Sequence, residues 1–185
     1  MSDNILILID IQRGFLDPQW GKRNNPHFEQ HVAALLQHWR EHNQPIIHVR
    51  HLSLLEGSPL SPGQPGHHFM DCAQPLQNEE IISKNVNSAF IGTDLLQLLS
   101  SRKAKKLVFA GLTTDHCVST SVRMAANFSF ECVVASDATA TFSRIDADGT
   151  LIDPDLVQRV TLASLRGEFA TILENRILLS EGQGV

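Results

Sequence analysis

The sequence contains no apolar run approaching the roughly 20 residues that a membrane-spanning helix needs. Its apolar start, Ile5–Ile9, lacks the basic flank and small-residue cleavage site of a signal peptide and is cut short by Asp10. Positive charge is not in excess: 15 lysines and arginines face 20 aspartates and glutamates. A net charge of −5 leaves no electrostatic footprint for nucleic acid or an anionic membrane. Cysteine is scarce, and Cys72, Cys117 and Cys132 are an odd, widely spaced set without a C-x-x-C pair. This argues against a disulfide framework and for a reducing, cytoplasmic compartment. Tyrosine is absent, which excludes nothing about the chemistry. The expected partner is a small-molecule substrate, with no nucleic acid and no membrane.

What is present is ordinary globular composition, 42% hydrophobic and 19% charged over 185 residues, and one domain spanning 1–185 is expected. Short runs rich in branched residues read as buried strands: Ile5–Ile9, Pro45–Val49, Glu80–Ser83, Leu107–Ala110, Glu131–Ala135 and Arg176–Leu179. Most are apolar on both faces, as in a parallel sheet covered on each side. Helical patterns fall between them over His31–His42, Thr93–Arg102, Asp115–Asn127 and Asp153–Glu174, with Thr93 as a cap. The order β-α-β-β-α-β-α-β-α-β predicts an α/β fold. Its core is an open, doubly wound, Rossmann-like parallel sheet of about six strands, with helices on both faces. Leu52–Asn78 breaks the rhythm with four prolines and repeated glycines. Loops longer than about 12–15 residues are usually functional or disordered, so this one is a candidate pocket wall or subunit contact.

Ligands of open α/β sheets gather beyond the carboxyl ends of the strands. Three reactive side chains fall there: Asp10 after the first strand, Lys84 closing the third, and Cys117 in the Gly-Leu-Thr-Thr-Asp-His-Cys-Val turn after the fourth. A helix N-terminus and a nearby ammonium both favour thiolate over thiol. Asp10 is then placed to collect the thiol proton and deliver it to a leaving group. Backbone N–H groups of Thr113 and Cys117 are the expected oxyanion donors. Taken singly, each residue has a plainer role: a small buried hydrophobe for the cysteine, a turn residue for the aspartate, a solvated head for the lysine. Cys72 and Cys132 are read in that plainer way.

The residues around these three resemble the isochorismatase-like cysteine hydrolase superfamily. The likeness runs from Ile9-Asp10-Ile11-Gln12-Arg13-Gly14-Phe15, through Ser83-Lys84-Asn85-Val86-Asn87-Ser88-Ala89-Phe90, to Gly111-Leu112-Thr113-Thr114-Asp115-His116-Cys117-Val118. A later Asp137-Ala138-Thr139-Ala140-Thr141-Phe142 segment is also similar. The resemblance implies a six-stranded parallel sheet, an Asp10–Lys84–Cys117 triad and a cis peptide at Leu112–Thr113, with Phe15 lining the substrate pocket. It further implies a homodimer or homotetramer. Well-known isochorismatases lack the nucleophilic cysteine, so Cys117 favours attack on an acyl carbon over hydrolysis of a vinyl ether. Nicotinamidases carry an Asp-x-His metal motif after the second strand. Here the equivalent stretch is His48-Val49-Arg50-His51, without a carboxylate.

No cofactor is expected and no metal. The clusters His48/His51 and His67/His68/Cys72 show no recognised zinc spacing. His31, His38 and His42 share a helix flank. Trp20 and Phe15 are candidate pocket walls, Phe90 is a substrate contact or core residue, and His116 is a candidate substrate contact. Arg50 and His51 bind a polar substrate group or lie at the surface. The expected activity is hydrolysis of a C–N bond in a small amide or ureide through a thioester. Vinyl-ether hydrolysis is the alternative, and a metabolite-binding or thiol redox protein is the non-hydrolytic one.

Overall fold

Strand β1 (Asn4–Ile9) is buried from Ile5 onward because both faces of its sheet are covered. The computed structural model describes residues 4–180. The central sheet is parallel throughout. Its order is β3 (Glu80–Lys84), β2 (Ile46–His51), β1, β4 (Lys106–Leu112), β5 (Glu131–Ala140) and β8 (Thr171–Leu173). The chain runs outward from β1 to β3, returns to β4 beside β1, and continues to the other edge. The strand order therefore reverses between β1 and β4, where an open α/β sheet receives its ligands.

Alternation along the strands sorts the apolar side chains into two cores. Leu6 and Leu8 join Val108, Ala110, Val133 and Ala135 beneath α1 (Phe28–Glu41), which buries Phe28, Val32, Leu35, Leu36 and Trp39. Leu178 of the short α5 (Asn175–Leu178) completes that face. Ile5, Ile7 and Ile9 join Leu107, Phe109 and Val134 on the other face. That face is covered by α2 (Leu95–Ser101), α3 (Ser119–Asn127) and α4 (Pro154–Leu165).

The last strand lies five residues earlier than the sequence pattern places it. Arg176–Leu178 is helical rather than extended, and α4 stops at Leu165 rather than Glu174. Arg166 caps α4, and Gly167 follows at φ +85, the left-handed conformation that ends a helix and suits glycine. The chain then turns into β8. A two-stranded hairpin, β6 (Arg144–Ile145) with β7 (Leu151–Ile152), was not anticipated. The predicted Asp115–Asn127 helix is divided, with one π turn over Thr114–Val118 preceding α3. The N-cap of α2 is Asp94, although the Thr93 hydroxyl accepts the Leu95 N–H at 3.3 Å.

Two close approaches shape the carboxyl rim. A Cβ at Gly111 (φ +129) would collide with the Ile9 carbonyl, so glycine lets β4 close against the end of β1. Gly14 and Gly66 meet backbone to backbone, which seats the proline-rich segment on the chain just after Asp10. The buried Gln12 side chain reinforces that seat. Its Nε2 donates to the carbonyls of His51 (3.1 Å) and His67 (3.0 Å), and its Oε1 accepts the His51 N–H (2.7 Å).

Candidate active site

Each of the three reactive residues is placed by the end of a different strand. Asp10 follows β1 at φ +50, a left-handed conformation that aspartate tolerates better than bulkier residues. Its N–H is bonded to the Val49 carbonyl at 2.9 Å and its carbonyl accepts the Gln12 N–H at 2.8 Å. Lys84 ends β3 and pairs across the ladder with His51. Beyond β4 the Leu112–Thr113 peptide is cis, and Cys117 lies in the π turn that follows. The Thr113 carbonyl accepts the N–H groups of both His116 and Val118 at 3.2 Å, which fixes the turn around the sulfur.

The three converge. Lys84 Nζ lies 2.6 Å from Asp10 Oδ2, 3.3 Å from Cys117 Sγ and 3.1 Å from His51 Nδ1. An ammonium has three N–H bonds and no lone pair, so these three acceptors use its full capacity. The Asp10 and Lys84 side chains are fully buried, whereas Cys117 keeps 8% of its surface. Asp10 Oδ1 is buried without a partner. Donor atoms of Asp10, His51 and Cys117 lie within 4.8 Å of one another, a spacing a metal ion could bridge. The Lys84 ammonium already sits within hydrogen-bonding reach of all three and supplies positive charge there.

The electrostatics correct one expectation. Burial first, then the Asp10 carboxylate, push the Cys117 thiol well above its usual range, and Lys84 only partly offsets them. His51 is held below the usual histidine range by burial and then by Lys84, with Asp10 opposing, so it is neutral near pH 7.

A match to the isochorismatase domain covers residues 4–174. The chain belongs to the isochorismatase family. An uncharacterized isochorismatase family protein of Bacillus subtilis, YrdC, is 39% identical over 176 residues, spanning 95% of this chain and 94% of that protein. A crystal structure assigned to the isochorismatase family from Chromobacterium violaceum superposes with a TM-score of 0.95 at 41% identity. It covers 100% of this chain and 96% of that one. More distantly, the ureidoacrylate amidohydrolase RutB of Agrobacterium fabrum is 27% identical over 118 residues, 64% of this chain and 47% of that enzyme.

Several residues of this isochorismatase-family hydrolase carry weight that sequence reasoning did not assign. Asp115 takes a two-pronged ion pair from Arg144, with Nε at 2.7 Å and Nη2 at 3.1 Å, and the Thr141 hydroxyl at 2.5 Å. Despite its burial, these contacts lower its pKa, Arg144 foremost and Thr141 next. Arg144 Nη2 also reaches Thr113 Oγ1 at 3.5 Å, which ties the β6–β7 hairpin to the turn that carries Cys117. Asn87, exposed after β3, brings Oδ1 to 3.8 Å from Sγ. Asp115 and Asn87 lie inside the quoted motifs, which was the available signal. Arg144 follows the Asp137–Phe142 segment and had none.

The other candidates separate. Phe15 and Trp20 pack with ring centroids 5.2 Å apart and share Phe142, at 6.1 Å from each, beside a cavity of about 300 Å³ lined by Phe15 and Phe142. Phe90 lies in the core that includes Cys117 and packs on Phe128 at 5.5 Å. His116 is largely exposed, with Nε2 3.5 Å from Asp115. His48 and His51 do not act as a pair. His48 and His51 sit on opposite faces of β2, His48 bonding Glu79 at 2.8 Å and His51 facing Lys84. Arg50 bonds the Ser83 hydroxyl at 3.0 Å. A cavity of about 560 Å³ lies at the opposite end of the sheet, where Arg40 and Arg102 are already paired with Glu79 and Glu80.

Proposed function

We propose that this isochorismatase-family hydrolase is a cysteine amidohydrolase that cleaves the C–N bond of a small amide or ureide through an acyl-sulfur intermediate. The observation that carries this reading is one buried ammonium in contact with both sulfur and carboxylate, 3.3 Å and 2.6 Å from Lys84 Nζ. The unpartnered Asp10 Oδ1 supports it, because it is the acceptor left for the thiol proton. A high resting thiol pKa means that proton transfer accompanies attack rather than preceding it.

The sequence of events follows from those atoms. As Cys117 Sγ adds to the carbonyl carbon, its proton passes to Asp10 Oδ1. The Thr113 and Cys117 amides receive the oxyanion, and Lys84 balances negative charge on sulfur and then on the carboxylate. Asp10 returns the proton to the departing ammonia or amine, which leaves a thioester. A water molecule, deprotonated by Asp10, attacks that thioester and restores the thiol. The likeness to a ureidoacrylate amidohydrolase supports a ureide or amide over other acyl groups.

The test is a screen of small amides, ureides and isochorismate, scored by ammonia and acid release, with Cys117→Ala and Asp10→Asn as controls. Turnover is expected on a carboxamide or ureide, abolished by Cys117→Ala. Asp10→Asn should lower it by about 10²–10⁴-fold, the usual contribution of a general acid–base. Full turnover by Cys117→Ala on an identified substrate would overturn the mechanism.

A further inference from the structure

We propose that His51 is a positioning residue for Lys84 and that its Nε2–H selects substrates bearing an acceptor oxygen beside the scissile carbon. The second half rests on the hydrolase reading above; the first does not.

The argument begins with proton inventory. Lys84 can only donate, so His51 Nδ1, 3.1 Å away, must be unprotonated. A neutral imidazole with Nδ1 bare carries its proton on Nε2. Lys84 thereby fixes the tautomer of His51, and His51 takes the third N–H of an ammonium whose other two go to Asp10 and Cys117. Without that acceptor one N–H of a fully buried ammonium would face no partner, a substantial penalty for a charged group.

The backbone of His51 is held with equal care. Gln12, itself buried, grips both its N–H (2.7 Å) and its carbonyl (3.1 Å), and the ladder sets His51 directly opposite Lys84. With all its N–H bonds engaged, Lys84 has none left for a substrate. In this cluster the buried Asp10 and Lys84 side chains are also closed to solvent, whereas His51 is half-buried. A ring nitrogen of His51 lies within 4.8 Å of Sγ. With Nδ1 bare, the proton that the ring can offer a substrate oxygen is the one on Nε2, with the Asn87 carboxamide 3.8 Å from Sγ. The donor suits the second carbonyl of a ureide or a carboxylate near the cleaved bond.

The groups facing His51 are Lys84 from β3, the Asp10 carboxylate beyond β1 and the Cys117 thiol from the π turn. Losing the Nδ1 acceptor frees the Lys84 head to move away from Sγ, and its ammonium is the charge that lowers the thiol pKa. The test compares the full chain with His51→Leu and His51→Asn. The rate of Cys117 alkylation by iodoacetamide is followed across the neutral to mildly alkaline range by mass spectrometry of the Cys117 peptide. His51→Leu should slow it by about tenfold throughout, the equivalent of a rise of about one unit in thiol pKa. Asparagine offers Lys84 an acceptor on a shorter side chain and should restore the rate. On a substrate found by the screen, His51→Asn should raise KM by roughly tenfold with little change in kcat, the loss of one hydrogen bond. Superimposable alkylation profiles for all three proteins overturn the positioning role. An unchanged KM in His51→Asn overturns the donor role. Slowed alkylation in a protein that turns over no carbonyl compound supports the positioning role and sinks both the donor role and the amidohydrolase reading.

Discussion

Glu79 shows how much a single carboxylate can organise. It accepts two hydrogen bonds from Arg40 (2.7 and 2.8 Å), one from the Leu76 N–H (2.9 Å), and meets His48 Nε2 at 2.8 Å. Burial alone would raise its pKa, but the Arg40, Leu76 and His48 hydrogen bonds overcome it and bring the group to about 2 from an ordinary 4.5. A depressed carboxylate stabilises the fold fully above its unfolded pKa, and that contribution disappears as pH falls through the folded one. His48 acts in the same direction. Its pKa is lowered chiefly by burial, so the unfolded chain binds its proton first on acidification below about 6.5. Glu79→Gln should therefore flatten the loss of stability between about pH 4.5 and 2, as read from urea midpoints across that range, while lowering stability at neutral pH. At this scale the sequence was legible only where chemistry is conspicuous. Asp10, Lys84 and Cys117 stand at strand ends beside recognisable motifs. The contacts of Glu79 with Arg40 and His48, of Gln12 with His51 and of Arg144 with Asp115 span 29 or more residues, and no local pattern signals them.

Among the elements, the β6–β7 hairpin matters more to the site than its two-residue strands suggest. Arg144 links it to Asp115 in the π turn, and α4 follows directly from β7 with Asp153 capping its first turn through the Asp155 N–H at 2.9 Å. Arg144→Met should cost about 1–3 kcal/mol of stability by stripping a partly buried carboxylate of its charged partner. It should also slow Cys117 alkylation at fixed pH by loosening the turn. Arg144→Lys should recover less than full stability, because an ammonium cannot supply the two-pronged geometry. Urea unfolding together with alkylation rates checks both expectations, and an unchanged rate in Arg144→Met would separate the hairpin from the site. The central strands and α1 were readable because their periodicity is strong. The C-terminal portion was not. Ile177-Leu178-Leu179 reads as a strand, yet Asn175 anchors that stretch as a helix by giving its N–H to Asp137 Oδ1 (2.8 Å) and its Nδ2 to the His31 carbonyl (2.7 Å). The acceptor Asp137 lies where β5 bulges, with Val134 and Thr139 paired to Phe109 and Gly111, and no strand pattern foretells a bulge.

Across the whole molecule, a parallel sheet covered by helices on both sides was legible from runs that are apolar on both faces. What those runs could not reveal was how firmly the proline-rich segment is fastened. Gly66 rests on Gly14, and Gln12 holds His51 and His67 on either side of the exposed Leu54 and Leu55. Ser53 and Ser61 add their own bonds around the same turn. A brief thermolysin treatment should cut first near Leu54–Leu55, where exposed apolar residues sit on a turn. The severed halves should still elute together on gel filtration and part only in denaturant. A clasp of this kind makes a swinging flap an unsuitable picture of substrate entry. The segment stays moored to the stretch after Asp10, so its position is fixed by the fold and not by anything that binds.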